Sequence, residues 1–262
     1  MFRRSARFLL ALTACAAITS LPTGAQALPP TELLGDGSTV IPLKNAAMIT
    51  RTDVGYRYRA GQQDSHLTIT QVGQKLLYVD TGTRELRDHP RSCVEQSQTP
   101  GIAVLCTIPA KFTDTNKMFL EIWPRLGDDF IDGSALSTQF RLWALADAGN
   151  DTVRGGDGDD FVNGAMGRDQ VWGGAGDDWI RTGPDSDVVW GDSGNDRLIA
   201  GPQDDDVHGG DGDDRVDGGD NNDTLWSDAG ADTVACGSGS DKAFYDVLDH
   251  RRYCELEVLT TY

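Results

Sequence analysis

Apolar residues along this chain fall into two regimes, and neither shows the 3.6-residue period of an amphipathic helix. Between Lys44 and about Leu145, short apolar runs alternate with Gly, Asp or Asn turns. Tyr56-Arg57-Tyr58, Leu67-Thr68-Ile69-Thr70, Lys75-Leu76-Leu77-Tyr78-Val79 and Met118-Phe119-Leu120-Glu121-Ile122-Trp123 are rich in β-branched and aromatic residues, which predicts strands. From Ala146 to Phe244 one aliphatic residue returns every nine positions: Val153, Val162, Val171, Ile180, Val189, Leu198, Val207, Val216, Leu225 and Val234, with Ala243 last. Two positions before each stands an aspartate: Asp151, Asp160, Asp169, Asp178, Asp187, Asp196, Asp205, Asp214, Asp223, Asp232 and Asp241. Glycines fill much of the remainder, so a unit such as Gly155-Gly156-Asp157-Gly158-Asp159-Asp160-Phe161-Val162-Asn163 reads G-G-x-G-x-D-x-U-x.

A register held through eleven units resembles the RTX (repeats-in-toxin, haemolysin-type) calcium-binding family over roughly the C-terminal half of the chain. It is similar to exported bacterial, actinobacterial-like members, in which a short β-rich lead precedes the repeats. The resemblance implies an all-β protein: a C-terminal right-handed parallel β-roll preceded by a small β-rich domain. It also implies that the first six residues of a unit turn and the last three form a strand. Two units then make one coil, and residues 18 apart stack.

The residue types suit that geometry. Glycine admits positive φ in a tight turn. The position-eight aliphatic faces a narrow core, and the position-six carboxylates with main-chain carbonyls offer an all-oxygen shell. Calcium tolerates such an irregular cage better than magnesium. The eleven aspartates are therefore the candidate metal ligands. As turn formers alone they would stack like charges about 4.8 Å apart, which is unfavourable without a counter-ion. Division by 18 residues gives two unequal edges. Units with Asp160, Asp178, Asp196, Asp214 and Asp232 all keep glycine at position four (Gly158, Gly176, Gly194, Gly212, Gly230). The other edge has Gly149, Gly167 and Gly239 but Asp185, Gln203 and Asn221 between them, with Pro184 and Pro202 alongside. The expectation is a complete calcium row on the regular edge, a row weakened in its middle on the interrupted edge, and about six to nine ions in all.

Charge sharpens the division of the chain. Residues 146–244 contain 24 Asp, no Glu and six cations, so the whole net charge of −18 resides there and the remainder is neutral. This argues against nucleic acid as a partner and predicts an array that repels itself open until cations neutralise it. The expected organisation is a signal peptide over 1–27, an N-terminal β-rich domain over 28–145, the calcium-binding roll over 146–244 and a cap over 245–262. Arg3, Arg4 and Arg7, an apolar stretch from Phe8 and Ala25-Gln26-Ala27 form the export signal, giving a secreted protein. Leu12-Thr13-Ala14-Cys15 alternatively resembles a lipoprotein signal, which would anchor the chain through a lipid on Cys15. No other stretch approaches the ~20 apolar residues of a transmembrane segment. Cys93, Cys106, Cys236 and Cys254 permit three disulfide pairings, and proximity favours Cys93–Cys106 and Cys236–Cys254.

Catalytic signatures are missing. Gly191-Asp192-Ser193-Gly194 mimics a serine-protease motif but is the in-register start of a unit, and neither H-E-x-x-H nor G-x-S-x-G occurs. The 18-residue stacking that the resemblance implies also aligns position nine of alternate units as Arg154, Trp172, Trp190, His208, Trp226 and Phe244, one outward column. It is covered by the N-terminal domain, the cap or a second subunit, or else Trp172, Trp190, Trp226 and Phe244 are a platform for sugar rings. The resulting expectation is an extracellular, non-enzymatic calcium-binding module. A carbohydrate- or cell-surface-binding protein is the alternative, and a secreted hydrolase a more distant one.

Overall fold

The structure, a computed structural model, describes residues 46–254 and 256–259. The expected signal segment with Cys15, and the first residues of the expected β-rich domain, lie outside the described residues. Among the described residues there is no helix. Ten strands precede the array: β1 (Ala46–Arg51), β2 (Gly55–Arg59), β3 (His66–Val72), β4 (Lys75–Asp80), β5 (Glu85–Asp88), β6 (Cys93–Gln96), β7 (Ile102–Thr107), β8 (Met118–Trp123), β9 (Phe130–Ala135) and β10 (Phe140–Leu145). The four strand-like segments of the sequence fall in β2, β3, β4 and β8.

Period-two alternation decides which faces are buried in this lead. Tyr56, Tyr58, Leu67, Ile69, Leu76, Tyr78, Met118, Leu120 and Ile122 point inward, and Arg57, Thr68 and Glu121 between them do not. The buried tyrosines bring hydroxyls that need partners. Tyr56 bonds Ser92 Oγ at 2.8 Å and donates to Thr107 O at 2.9 Å. Tyr58 donates to Asp80 Oδ2, which also accepts from Ser65 Oγ at 2.7 Å and Thr83 Oγ1 at 2.5 Å. Asp80 Oδ1 accepts the His66, Gly82 and Thr83 N–H groups, so this buried carboxylate is fully satisfied. It clamps the end of the β3–β4 hairpin. Cys93 and Cys106 are direct cross-strand partners of β6 and β7 and are disulfide-bonded.

Two sheets then run the length of the described chain. One has the order β5-β1-β2-β8-β10, followed by Phe161–Asn163, Trp179–Arg181, Arg197–Pro202, Arg215–Asp220, Thr233–Ser238 and His250–Arg252. The other has the order β6-β7-β4-β3-β9, followed by Thr152–Arg154, Gln170–Ala175, Val188–Ser193, Asp206–Asp211, Thr224–Ala229, Lys242–Tyr245 and Leu256–Leu259. From β8 and β9 onward every pairing is parallel, making a solenoid of about eight turns. Both sheets cross residue 145 without a break, because β10 pairs with Phe161–Asn163 and β9 with Thr152–Arg154.

The nine-residue period translates directly into this register. Val153 pairs with Val171, Val171 with Val189 and Val189 with Val207, while Ile180 and Leu198 pair on the other sheet. All eleven position-eight side chains are at most 1% exposed. Each coil therefore contributes two position-eight aliphatic side chains to a core two sheets thick, joined at position one by Ala146 and Ala200, and each depends on its neighbours for burial.

The C-terminal segment continues the two sheets. His250–Arg252 and Leu256–Leu259 extend the two sheets by one strand each, while Val247 (81% exposed) and Leu248 (57%) face outward. Cys236 and Cys254 are disulfide-bonded and tie this segment to the last coils.

Leu198→Ala should lower the stability of the calcium-saturated protein by about 2–5 kcal/mol, since a narrow two-sheet core has little to refill the cavity. Arg215→Ala, on the exposed face, should stay within about 0.5 kcal/mol of the parent. Urea unfolding of both variants checks this, and equal costs would contradict the core assignment.

Candidate metal centre

Position six of every unit lies where the chain leaves a turn and enters a strand, so 18-residue stacking lines the aspartates along the two edges of the roll. All eleven are buried, at 5% exposure or less. Their two carboxylate oxygens do different things. Oδ1 accepts the backbone N–H of the aspartate one coil earlier: Asp151 N to Asp169 at 2.9 Å, Asp169 N to Asp187 at 2.7 Å and Asp187 N to Asp205 at 2.8 Å. On the other edge Asp160 N reaches Asp178 at 2.6 Å, Asp178 N reaches Asp196 at 2.8 Å and Asp196 N reaches Asp214 at 2.8 Å. The ladder continues through Asp205–Asp223, Asp223–Asp241 and Asp214–Asp232. Oδ1 thus stitches coil to coil.

Oδ2 has no such partner. It is buried and without a hydrogen bond in Asp151, Asp169, Asp178, Asp187, Asp196, Asp205, Asp214, Asp223, Asp232 and Asp241. Asp160 departs from the pattern, because its Oδ2 accepts the Gly156 N–H at 2.8 Å. A row of buried, unpaired carboxylate oxygens is costly unless something positive lies among them. Burial, first, and then the like charges of neighbouring carboxylates push three of these groups upward, Asp178 to about 9 and Asp169 and Asp205 to about 8. Burial leads again at Asp187, where the Asp169 N–H bond and Thr182 pull back and the carboxyl stands at about 6.

Glycine at position one opens a cradle beside five of these oxygens, those of Asp169, Asp178, Asp196, Asp214 and Asp223. A Cβ on Gly218 would lie 2.5 Å from Asp223 Oδ2 and 2.8 Å from the Cys236 carbonyl oxygen, so those two oxygens converge on the space that glycine leaves. Gly164, Gly173, Gly191 and Gly209 have the same pair of neighbours, their own unit's Oδ2 and the position-one carbonyl of the next coil. Among the described residues no three His, Cys, Asp or Glu side chains converge as metal ligands. The donor set on offer is therefore carboxylate plus main-chain carbonyl, all oxygen, which fits a hard cation of high coordination number such as calcium and not a thiolate or imidazole metal.

The edges differ in the way their turns are closed. On the regular edge, the N–H groups of Gly176, Gly194 and Gly212 donate to the carbonyls of Ser193, Asp211 and Ala229. On the interrupted edge, Asp185, Gln203 and Asn221 keep the left-handed backbone, at φ 86°, 84° and 85°. Their side chains take over the carbonyl's role: Gly167 N–H donates to Asp185 Oδ2 (3.2 Å), Asp185 N–H to Gln203 Oε1 (2.9 Å) and Gln203 N–H to Asn221 Oδ1 (3.3 Å). Position one also separates them. The regular edge has Gly155, Gly173, Gly191 and Gly209 before Ser227, whereas Ala146, Thr182, Ala200 and Cys236 stand on the interrupted edge, beside Gly164 and Gly218. That second difference was readable in the sequence.

The aromatic column forms as the stacking requires, and its geometry bears on the platform idea. Trp172 stacks on Trp190 (centroids 4.5 Å, planes 5° apart), Trp190 on His208 (5.9 Å), His208 on Trp226 (5.6 Å) and Trp226 on Phe244 (3.6 Å). Arg154 covers the far face of Trp172 at 5.2 Å. The rings thus spend their faces on one another and turn their edges outward, which leaves little flat surface for a sugar to lie on. Asp206 and Asp228 flank His208 at 3.5 and 3.6 Å. A second outward column, Phe119, Trp143, Phe161 and Trp179, runs on the other sheet with tilted rings and Arg197 over Trp179. Sequence reading missed it, although Trp143, Phe161 and Trp179 are 18 residues apart.

Residues 143–171, 172–207, 199–234 and 208–243 match the family model of the RTX calcium-binding nonapeptide repeat, in four copies. No curated protein matches the chain.

The raised carboxylates set a pH dependence. A group held above its open-chain value of about 3.9 binds protons in the fold that the unfolded chain does not, so stability falls as pH rises through that window. Stripped of divalent cations, the protein should melt higher near pH 5 than at pH 8, losing stability up to the highest raised group at about 9. In saturating calcium this dependence should weaken or reverse, because protons then compete with the cation. Melting curves at the two pH values check it, and a stripped chain more stable at pH 8 would contradict it.

Proposed function

We propose, from the premise that residues 143–243 are RTX calcium-binding nonapeptide repeats, that this protein is an extracellular calcium-binding module whose array folds when it binds calcium. The observation that carries the reading is the two rows of buried Oδ2 atoms without hydrogen-bond partners, five of which converge with a main-chain carbonyl on the space beside a position-one glycine. Asp151, Asp169, Asp178, Asp187, Asp196, Asp205, Asp214, Asp223, Asp232 and Asp241 are the proposed ligands. Asp160 belongs to the same column, with its second oxygen turned to Gly156. The number of ions follows from the gaps between stacked carboxylates, about six to nine. The regular edge, with open position-one cradles, would hold the stronger row. The interrupted edge, closed in its middle by the Asp185–Gln203–Asn221 side-chain ladder, would hold the weaker one.

Calcium at the millimolar level outside cells would fill sites that cytosolic calcium leaves empty, which suits a chain made in one compartment and folded in another. The export signal at 1–27 and the four disulfide-forming cysteines support that route. What the chain concentrates is ligand oxygen for a hard cation, so the role is structural or binding rather than enzymatic. By composition, 28–145 is the β-rich lead, 146–244 the calcium-binding roll and 245–262 the cap. Among the described residues no helix is long and apolar enough to cross a membrane. A carbohydrate ligand on the tryptophan column gains no support from rings whose faces are already stacked.

Isothermal titration of the metal-stripped chain should show several calcium ions bound, with a sub-stoichiometric or undetectable response to magnesium at the same concentration. The double variant Asp196→Asn/Asp214→Asn should bind fewer. A parent chain that takes up no calcium overturns the reading.

A further inference from the structure

The aspartate column does not begin where the repeats begin. Arg125 to Asp132 read in the sequence as a degenerate copy of the repeat unit, out of phase with the array, because Asp129 precedes Asp151 by 22 residues and the array steps by 18. In space the extra residues are absorbed in the loop between β9 and β10, where Leu136 is buried, and the register is restored. Phe130 pairs with Thr152 and Ile131 with Val153. Ile131 is fully buried, in line with the position-eight residues below it.

The turn of this unit repeats the array's turn in detail. Arg125 and Gly127 have φ of 88° and 126°, matching Asp147 and Gly149 (78° and 146°) and Ala165 and Gly167 (79° and 115°). Gly127 N–H donates to Ala148 O just as Gly149 N–H donates to Met166 O. Asp129 itself behaves as an array aspartate. Its N–H donates to Asp151 Oδ1 at 2.7 Å, and its Oδ1 accepts the Ser65 N–H at 2.6 Å. Its Oδ2 is buried without a hydrogen-bond partner, in a side chain 2% exposed. Gly127, Gly149 and Gly167 give the head of the interrupted edge an uninterrupted run of position-four glycines ahead of Asp185.

The two ends of the other edge contrast with this. Asp160 has both oxygens satisfied, by Leu142 and Gly156 N–H groups. Asp249, at the far end, accepts from Asp232 N–H on Oδ1 and from Ser227 Oγ and Asp246 N–H on Oδ2. Carboxylates that merely terminate the ladder are satisfied by protein donors, and Asp129 is not.

We infer that Asp129 and Asp151 form a further calcium position at the head of the interrupted edge, with one of its two carboxylates outside the repeat-matched residues. The inference rests on reading the array as calcium-binding. It makes the lead strands part of the metal-dependent structure, since Ser65, held by Asp80, bonds directly to Asp129.

Calcium bound per chain, measured by atomic emission after equilibrium dialysis, separates the two levels of this argument. Asp129→Asn keeps an oxygen to accept the Ser65 N–H and removes the charge; it should bind one calcium fewer than the parent with unchanged circular dichroism. Asp178→Asn, inside the array, should also lose calcium. Loss in Asp178→Asn with a full count in Asp129→Asn overturns this site and leaves the array reading intact, whereas no calcium on the parent overturns both. Should Asp129→Asn fail to fold, a crystal structure of the parent grown in calcium decides: an ion ligated by Asp129 Oδ2 is expected, and ions along the array with none there refute the site.

Discussion

Buried carboxylates stacked one strand spacing apart, about 4.8 Å, impose the constraint to which the remaining structure answers. One oxygen of each is committed to the backbone of the neighbouring coil, which fixes the 18-residue register and keeps the turns in line. The other oxygen is shut away from water with no donor to face it. The core beside them is narrow, with two position-eight aliphatic side chains per coil. In the proposed function a cation offsets that repulsion, and the same residues that define the coil would hold it.

The two ends of the roll are built differently from the array. The lead contributes a core in which Tyr56, Tyr58 and Tyr78 are buried and Tyr58 bonds a fully satisfied Asp80. At the other end Asp249 closes the regular edge with protein donors, and the Cys236–Cys254 bond pins the last coils. Between these fixed ends the array carries the entire net charge, so its stability must vary most steeply with cation supply.

Much of this was legible in the sequence because the period is so direct a record of the coil. Aspartate at position six and aliphatic at position eight gave the strands, the core and the edge columns, and division by 18 gave the aromatic column. What escaped notice had identifiable causes. Arg125–Asp132 is legible as a degenerate unit, but its phase break hides the place of Asp129 in the column, and pairing of β9 with Thr152–Arg154 shows that the break is a loop and not a change of register. The charge step at residue 145 marks where carboxylates begin, while both sheets pass through it. The tryptophans of position nine could be placed in one column, but the orientation of their rings, face to face along the roll, depends on side-chain torsions that no spacing encodes.

The central claim is that cations neutralising the unpaired oxygens hold the roll together. Far-ultraviolet circular dichroism of the chain at neutral pH, recorded metal-free, after calcium addition and after chelation, tests it most directly. The account predicts a gain of β signal on calcium addition that chelation reverses. A metal-free chain already showing the full β signal, unchanged by either step, would contradict it.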